Sequence, residues 1–158
     1  MNLFDIIQTS KKIGYLAIVC IFMYGCRVEG AVYKLADINE FGWNKDSSKY
    51  IIIENNDTLT QCSISILMRF NPRLATQNNV NIAIEVQSPS SKIYRDTLYY
   101  QLSDKPTNNS ASTFNEQKYQ FIDNAVLHEH GKYVFKINHF DSAPICGIDA
   151  IGVIIDYK

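Results

Sequence analysis

The chain has 158 residues, with 15 Lys and Arg against 16 Asp and Glu and a formal net charge of −1. That balance, without a basic run, leaves no electrostatic footprint for nucleic acid. The length allows one domain with a substantial core rather than two.

The N-terminal segment reads as an address. Lys11 and Lys12 precede the apolar run from Ile13 to Met23, and Tyr24-Gly25-Cys26 closes it. The run is shorter than the ~20 residues a spanning helix needs, but it has the length of a secretory h-region. Gly25 is the small residue a signal peptidase requires before the cut. The segment resembles a bacterial lipobox, with Tyr24 in place of the usual small or β-branched residue, and the resemblance implies that the Cys26 thiol is lipidated and becomes the new N-terminus. The chain then divides into a lipoprotein signal peptide (1–25), a lipidated tether (26–30) and a folded domain (31–158). Two or more acyl chains, at ~0.8 kcal/mol per buried CH₂, give a stable membrane anchor. At ~3.3–3.6 Å per extended residue the tether holds the domain within tens of ångströms of the bilayer.

From Val32 onward the apolar residues recur with period two. Lys49-Tyr50-Ile51-Ile52-Ile53 is apolar on both sides and predicts a central strand. Gln61 to Phe70 places Cys62, Ile64, Ile66, Met68 and Phe70 on one face and Ser63, Ser65 and Arg69 on the other, the pattern of a half-buried strand. Val80, Ile82, Ile84 and Val86 repeat it, as do Tyr133, Phe135 and Ile137. Ile151 to Ile155 predicts a second central strand. Turn-forming clusters separate the strands, among them Asn55-Asn56-Asp57, Gln77-Asn78-Asn79 and Ser88-Pro89-Ser90-Ser91. Ser103 to Lys118 reads as a surface loop, and Phe121 to Leu127 as a strand or a short helix. No apolar stripe at helical spacing follows the leader. The expected fold is all-β, a single antiparallel β-sandwich of jelly-roll type.

Candidate chemistry is sparse. Cys62 and Cys146 remain after the leader and Cys26 are set aside, and they read equally as one disulfide, which contributes ~2–5 kcal/mol in an oxidising compartment, or as two buried free thiols. His128 and His130 share one side of an extended segment, and His139 could add a third metal ligand. Gly131 marks a solvated turn there instead, so no metal is expected. There is no nucleophile elbow and no Gly-rich phosphate loop, and nothing selects a carboxylate pair. The chain is read as a non-enzyme without cofactor or small-molecule substrate. Its 10 Tyr and 8 Phe invite a second reading, a surface lipoprotein that stacks glycans on exposed rings. That reading needs Tyr94, Tyr99, Tyr100 and Tyr119 to form one platform. Asp57-Thr58-Leu59, Asp96-Thr97-Leu98 and Asp141-Ser142-Ala143 look like the Asp-Ser/Thr-apolar sites of O-glycosylation in exported proteins of the Bacteroidetes. Thr58 and Ser142 fall in turns, Thr97 within a strand.

His130-Gly131-Lys132-Tyr133-Val134-Phe135-Lys136-Ile137-Asn138-His139 and Cys146-Gly147-Ile148-Asp149-Ala150-Ile151-Gly152-Val153-Ile154-Ile155, with the early segment Phe41-Gly42-Trp43-Asn44, resemble the gliding motility lipoprotein GldH family of the Bacteroidetes. In these motifs Gly131 suits a tight turn, Gly152 a close backbone approach, and Trp43 a core anchor. The resemblance implies a lipoprotein accessory of the gliding machinery and its secretion apparatus, or of a related envelope complex, with envelope proteins as partners. Arg27-Val28-Glu29-Gly30 lacks the paired acidic residues that resemble the surface-export signal of this phylum, and no Asp follows Cys26 directly. The expected location is therefore the periplasmic face of the outer membrane.

Overall fold

In the computed structural model the described residues are 30–39, 41–102 and 114–158. They form eight strands: β1 (Val32–Asp37), β2 (Lys49–Asn55), β3 (Gln61–Phe70), β4 (Asn79–Gln87), β5 (Ile93–Gln101), β6 (Asn115–Val126), β7 (Gly131–His139) and β8 (Ile148–Tyr157). Two four-stranded sheets result, in the orders β1-β8-β3-β6 and β2-β7-β4-β5. β1 pairs with β8, β2 with β7, β3 with β6 and β4 with β5, as in one long hairpin folded over on itself. The β3–β8 and β4–β7 pairings complete the sheets, and every pairing is antiparallel. This strand order is that of a jelly roll.

The alternation builds the core. Cys62, Ile64, Ile66, Met68 and Phe70 of β3 face Ile82, Ile84, Phe135 and Ile137 of the other sheet's inner surface, all of them buried. β8 lies between β1 and β3, as its two-sided apolar character requires. Its outward Gly152 lets β1 approach closely, since a Cβ there would sit 2.5 Å from Leu35 Cδ2.

Two strands depart from expectation. β2 is an edge strand, not a central one. Its outward Tyr50 and Ile52 are 60% and 47% exposed, and its open backbone is blunted by Lys34, whose Nζ donates to the Ile52 carbonyl at 2.7 Å. β6 begins at Asn115, inside the expected loop, and continues as strand through 121–126. Its outward Glu116 and Lys118 carry no apolar signal. They are fixed by ion pairs across the sheet, Arg69–Glu116 at 2.7 Å and Lys118–Asp156 at 2.6 Å. The rest of that loop, 103–113, lies outside the described residues.

The topology sorts the connections. Turns 56–60, 88–92 and 127–130 lie at one end of the sandwich, together with the start of β1 and the end of β8. The longer described segments 41–48, 71–78 and 140–147 lie at the other, as do Leu102 and Phe114 at the ends of β5 and β6. These are the near end and the far end, named by distance from the start of β1.

Candidate functional site

Cys26 and the whole leader lie outside the described residues. Cys62 and Cys146 are free thiols, and the disulfide does not form. Cys62 opens β3 opposite Tyr157 at the near end, whereas Cys146 precedes Ile148, which pairs with Phe70 at the far end. Eight residues of strand at ~3.3 Å each separate those two points by about 26 Å, far beyond the reach of a disulfide. Burial in the core pushes the Cys62 thiol pKa up.

The three imidazoles are also apart. His128 and His130 are exposed at the near end, while His139 is buried at the far end of β7. Among the described residues no group of three or more His, Cys, Asp or Glu could hold a metal ion. The tyrosines form no platform. Tyr100 is buried, its hydroxyl donating to the Ile66 carbonyl and its ring 4.6 Å from that of Tyr119. Tyr94 packs on Phe121 at 6.0 Å, and Tyr99, 70% exposed, points to the opposite face of β5. Of the three hydroxyls considered for glycosylation, Thr58 is half-buried in the β2–β3 turn, Thr97 is half-buried within β5, and Ser142 is exposed after β7.

The near end is closed by polar side chains. Asn55 is fully buried, and its amide donates to the carbonyls of Leu127 at 2.8 Å and Glu129 at 3.0 Å. Its oxygen accepts from the Tyr157 hydroxyl at 3.2 Å. One side chain thus ties β2, the β6–β7 turn and β8. Asp57 Oδ1 caps its own turn by accepting from the N–H groups of Leu59 and Thr60, both at 2.9 Å. Glu129 caps the β4–β5 turn, accepting from the Ser90 N–H and hydroxyl, both at 2.8 Å. Bonds from Thr60 and Ser90 respectively hold both carboxyls below their usual range.

The far end is built on Trp43, 1% exposed. Its Nε1 donates to the Ser47 carbonyl at 2.8 Å, and its backbone forms a bridge with Ile145. The His139 ring meets the indole edge-on at 5.0 Å, and its Nε2 donates to the Trp43 carbonyl at 2.9 Å. His139 Nδ1 faces Asp141 Oδ2 at 3.9 Å.

Above this base lies Cys146-Gly147. The Cys146 N–H donates to Thr76 Oγ1 at 3.3 Å, its thiol lies 4.0 Å from the Phe41 carbonyl, and the Gly147 carbonyl accepts from the Asn71 N–H at 2.7 Å. Gly147 has φ +82°, and a Cβ there would lie 2.4 Å from the Ala75 nitrogen. Phe41 and Leu74 flank this segment and are 82% and 63% exposed. Beside it is a hollow of about 520 Å³ lined by Asn44, Lys45, Asp46, Ser47, Ser142 and Pro144. The sequence marks Trp43, and Phe41 only as a member of the same family segment; Leu74 is unmarked, because an exposed apolar residue in a loop has no period to betray it.

A second hollow, about 490 Å³, lies on the outer face of the β2-β7-β4-β5 sheet. Its floor is occupied by the Glu85–Arg95 ion pair at 2.7 Å, with Lys136, Asn138 and Phe140 around it.

Strand order and surfaces define an all-β jelly-roll domain whose longer loops gather at the end remote from its N-terminal strand. The family model described as GldH lipoprotein matches residues 31–155, and the chain belongs to that family. No curated protein matches the sequence significantly. Among solved structures, the chain is similar to a carbohydrate-binding module, CBM28, specific for non-crystalline cellulose (12% identity, TM-score 0.43, 81% of this chain and 75% of that one). It is also similar to the Yersinia pseudotuberculosis-derived mitogen (8%, TM-score 0.36, 83% and 88%). A third likeness is to a chain of infectious bursal disease virus Gx strain (11%, TM-score 0.34, 82% and 32%).

Proposed function

We propose that this protein is a non-enzymatic, lipid-anchored subunit of an envelope protein complex, an accessory of the gliding and secretion machinery or of a related assembly. The observation that carries this reading is the GldH lipoprotein match across residues 31–155. The order of Lys11, Lys12, the apolar run and Gly25-Cys26 supports the anchor. In this reading the lipid sits on Cys26 and the domain hangs from the periplasmic face of the outer membrane. β1 starts at Val32, so the near end lies against the bilayer and the far end points away from it. Thr58 and Ser142 are the hydroxyls best placed to carry O-linked glycan, which an intact mass of the mature protein would reveal. The scatter of the tyrosines removes the support for a glycan-stacking surface.

Metabolic labelling with a fatty acid, followed by membrane fractionation, tests the anchor. The native chain should take up label and sediment with the outer membrane, and Cys26→Ala should do neither. Label in Cys26→Ala would show that the anchor has been misassigned. Protease applied to intact cells should leave the domain uncut, and its digestion would put it on the cell surface.

A further inference from the structure

We infer that the outer face of the β2-β7-β4-β5 sheet carries a binding site for a short neutral glycan, in the hollow of about 490 Å³ around Ala83. The inference goes beyond the anchored-subunit reading and does not depend on it. It also differs from the four-tyrosine platform, which does not form. Of those rings only Tyr99 points to this face, and the ring that lines the hollow is Phe140. Strand register makes the recess. Outward side chains of β7, β4 and β5 fall in rows across the sheet, and the middle row is Asn138, Ala83 and Thr97. A methyl group between a short amide and a short hydroxyl leaves the floor low. The next row is Lys136, Glu85 and Arg95, three long side chains that stand up as one wall. On the other side lies Phe140, whose N–H donates to the Asn81 carbonyl at 3.1 Å, and Tyr99 pairs with Asn81 from β5. Phe140 and Tyr99 are 58% and 70% exposed, so both present open ring surface. Two strand spacings of ~4.8 Å and four residues of ~3.3 Å make the recess about 10 by 13 Å, a footprint for one or two sugar rings.

The chemistry of the lining selects the ligand. Glu85 and Arg95 are already paired at 2.7 Å, and the remaining charges, Lys136 and Asp96, are one of each sign. The four therefore cancel, and an ionic ligand finds no net field to draw it in. What the hollow offers instead is a dense set of donors and acceptors. Among the described residues the Asn138 amide, the Thr97 hydroxyl and the Lys136 ammonium are engaged by no other side chain or backbone group. Sugar hydroxyls both donate and accept, so they match an amide, a hydroxyl and an ion pair at once. The C–H face of a sugar ring matches the open face of Phe140, and a recess with a few convergent polar groups beside an aromatic ring is the usual form of a small-ligand site. The combination is confined to this place. The far-end hollow has no aromatic residue in its lining, and Tyr94 and Phe121 turn their rings toward each other.

Saturation-transfer NMR on the full chain in detergent tests the site, with cellotriose, maltotriose and diacetylchitobiose as neutral probes and digalacturonate as the acidic one. At least one neutral probe should receive saturation at millimolar concentration, most strongly on its ring C–H protons, and digalacturonate should receive little. Phe140→Ala should weaken that binding about fivefold or more. Ala83→Leu, which fills the recess, should abolish it. Phe41→Ala removes an exposed ring at the far end and should leave it unchanged. Melting temperatures of all three variants should stay within about a degree or two of the native chain, since none of the three side chains belongs to the core. Absence of transfer to every neutral probe would overturn the inference. So would transfer that survives both Phe140→Ala and Ala83→Leu, or a preference for digalacturonate. Cys26→Ala should bind the same probe as the native chain does, so a failure of the lipid anchor and a failure of the glycan site are read separately.

Discussion

The two ends of the sandwich are made by the same strands and solve opposite problems. At the near end the turns are short, and their exposed polar groups are satisfied by Asn55, Asp57 and Glu129. At the far end the connections are longer and rest on one indole, with Phe41 and Leu74 left in water. Short, capped turns minimise ordering entropy, though Leu59 in one of them stays 87% exposed. The difference is one of support: the end where β1 starts is closed by polar caps, and the opposite end rests on a buried indole.

The strongest way to break this comparison is at Trp43. Trp43→Ala should cost about 3–5 kcal/mol in urea unfolding, because it empties a fully enclosed site and removes the indole's bond to the Ser47 carbonyl. Hydrogen exchange should accelerate first in 38–48 and 140–147, with the near end unaffected. A loss below about 1 kcal/mol would mean that the far loops are held by backbone bonds alone and that the indole is not their base.

Asn55→Ala is the matching cut at the near end. It leaves the Leu127 and Glu129 carbonyls without their donor, and an unsatisfied buried group costs about 1–3 kcal/mol, so a loss of roughly 2–3 kcal/mol is expected in the same assay. The acceleration of exchange should now appear at 56–60 and 127–130. If it spreads to 140–147, the ends are not independent units.

Much of this architecture is legible in the chain. The alternation of Gln61 to Phe70 fixes β3 to the residue, and the two-sided apolar run at Ile151 to Ile155 puts β8 inside its sheet, because burial on both faces leaves no polar residue to read. The same argument misplaces β2, since Tyr50 and Ile52 are exposed at an edge that Lys34 covers. Periodicity reports which residues are apolar, not which strand lies beside them. The start of β6 is hidden because Asn115 to Lys118 has no apolar alternation and is held by pairing with β3 and by ion pairs; only from Tyr119 onward does the strand pack apolar side chains on the core. The far-end site is invisible for a related reason. The segments of Phe41 and of Leu74 to Thr76 meet only around the folded Cys146-Gly147, and no local pattern encodes that meeting.

Gly147→Ala sharpens the account of the far end by a smaller amount. An Ala at φ +82° is strained, and its Cβ meets the backbone of Ala75 at 2.6 Å or less. A loss of about 1–3 kcal/mol follows, with the 71–78 loop displaced. Hydrogen exchange in 71–78 should accelerate with it, although no residue of that loop has changed. Unchanged exchange there would show that the 71–78 loop does not depend on the close approach at Gly147.

The smallest effect is expected from pH, and it belongs to the near end. Asp57 is held below its ordinary value of 3.8 chiefly by the Thr60 hydroxyl and N–H, Glu129 below 4.5 by Ser90, and Asp123 below 3.8 by Lys158. A carboxyl whose folded pKa is depressed releases its proton more readily in the native state, so the unfolded chain binds more protons in the acid range. Its contribution is complete above the unfolded values, near pH 4.5, and is lost as pH falls through the lower folded values. Urea midpoints should therefore be flat from about pH 5 to 7 and decline below pH 4.5 as these caps are protonated. Asp57→Asn with Glu129→Gln should start lower at pH 6 and decline less steeply, because the proton-sensitive acceptors have gone. An unchanged slope would place the acid sensitivity elsewhere. The near end would then be closed by Asn55 alone, and the two ends would differ in loop length but not in the kind of force that holds them.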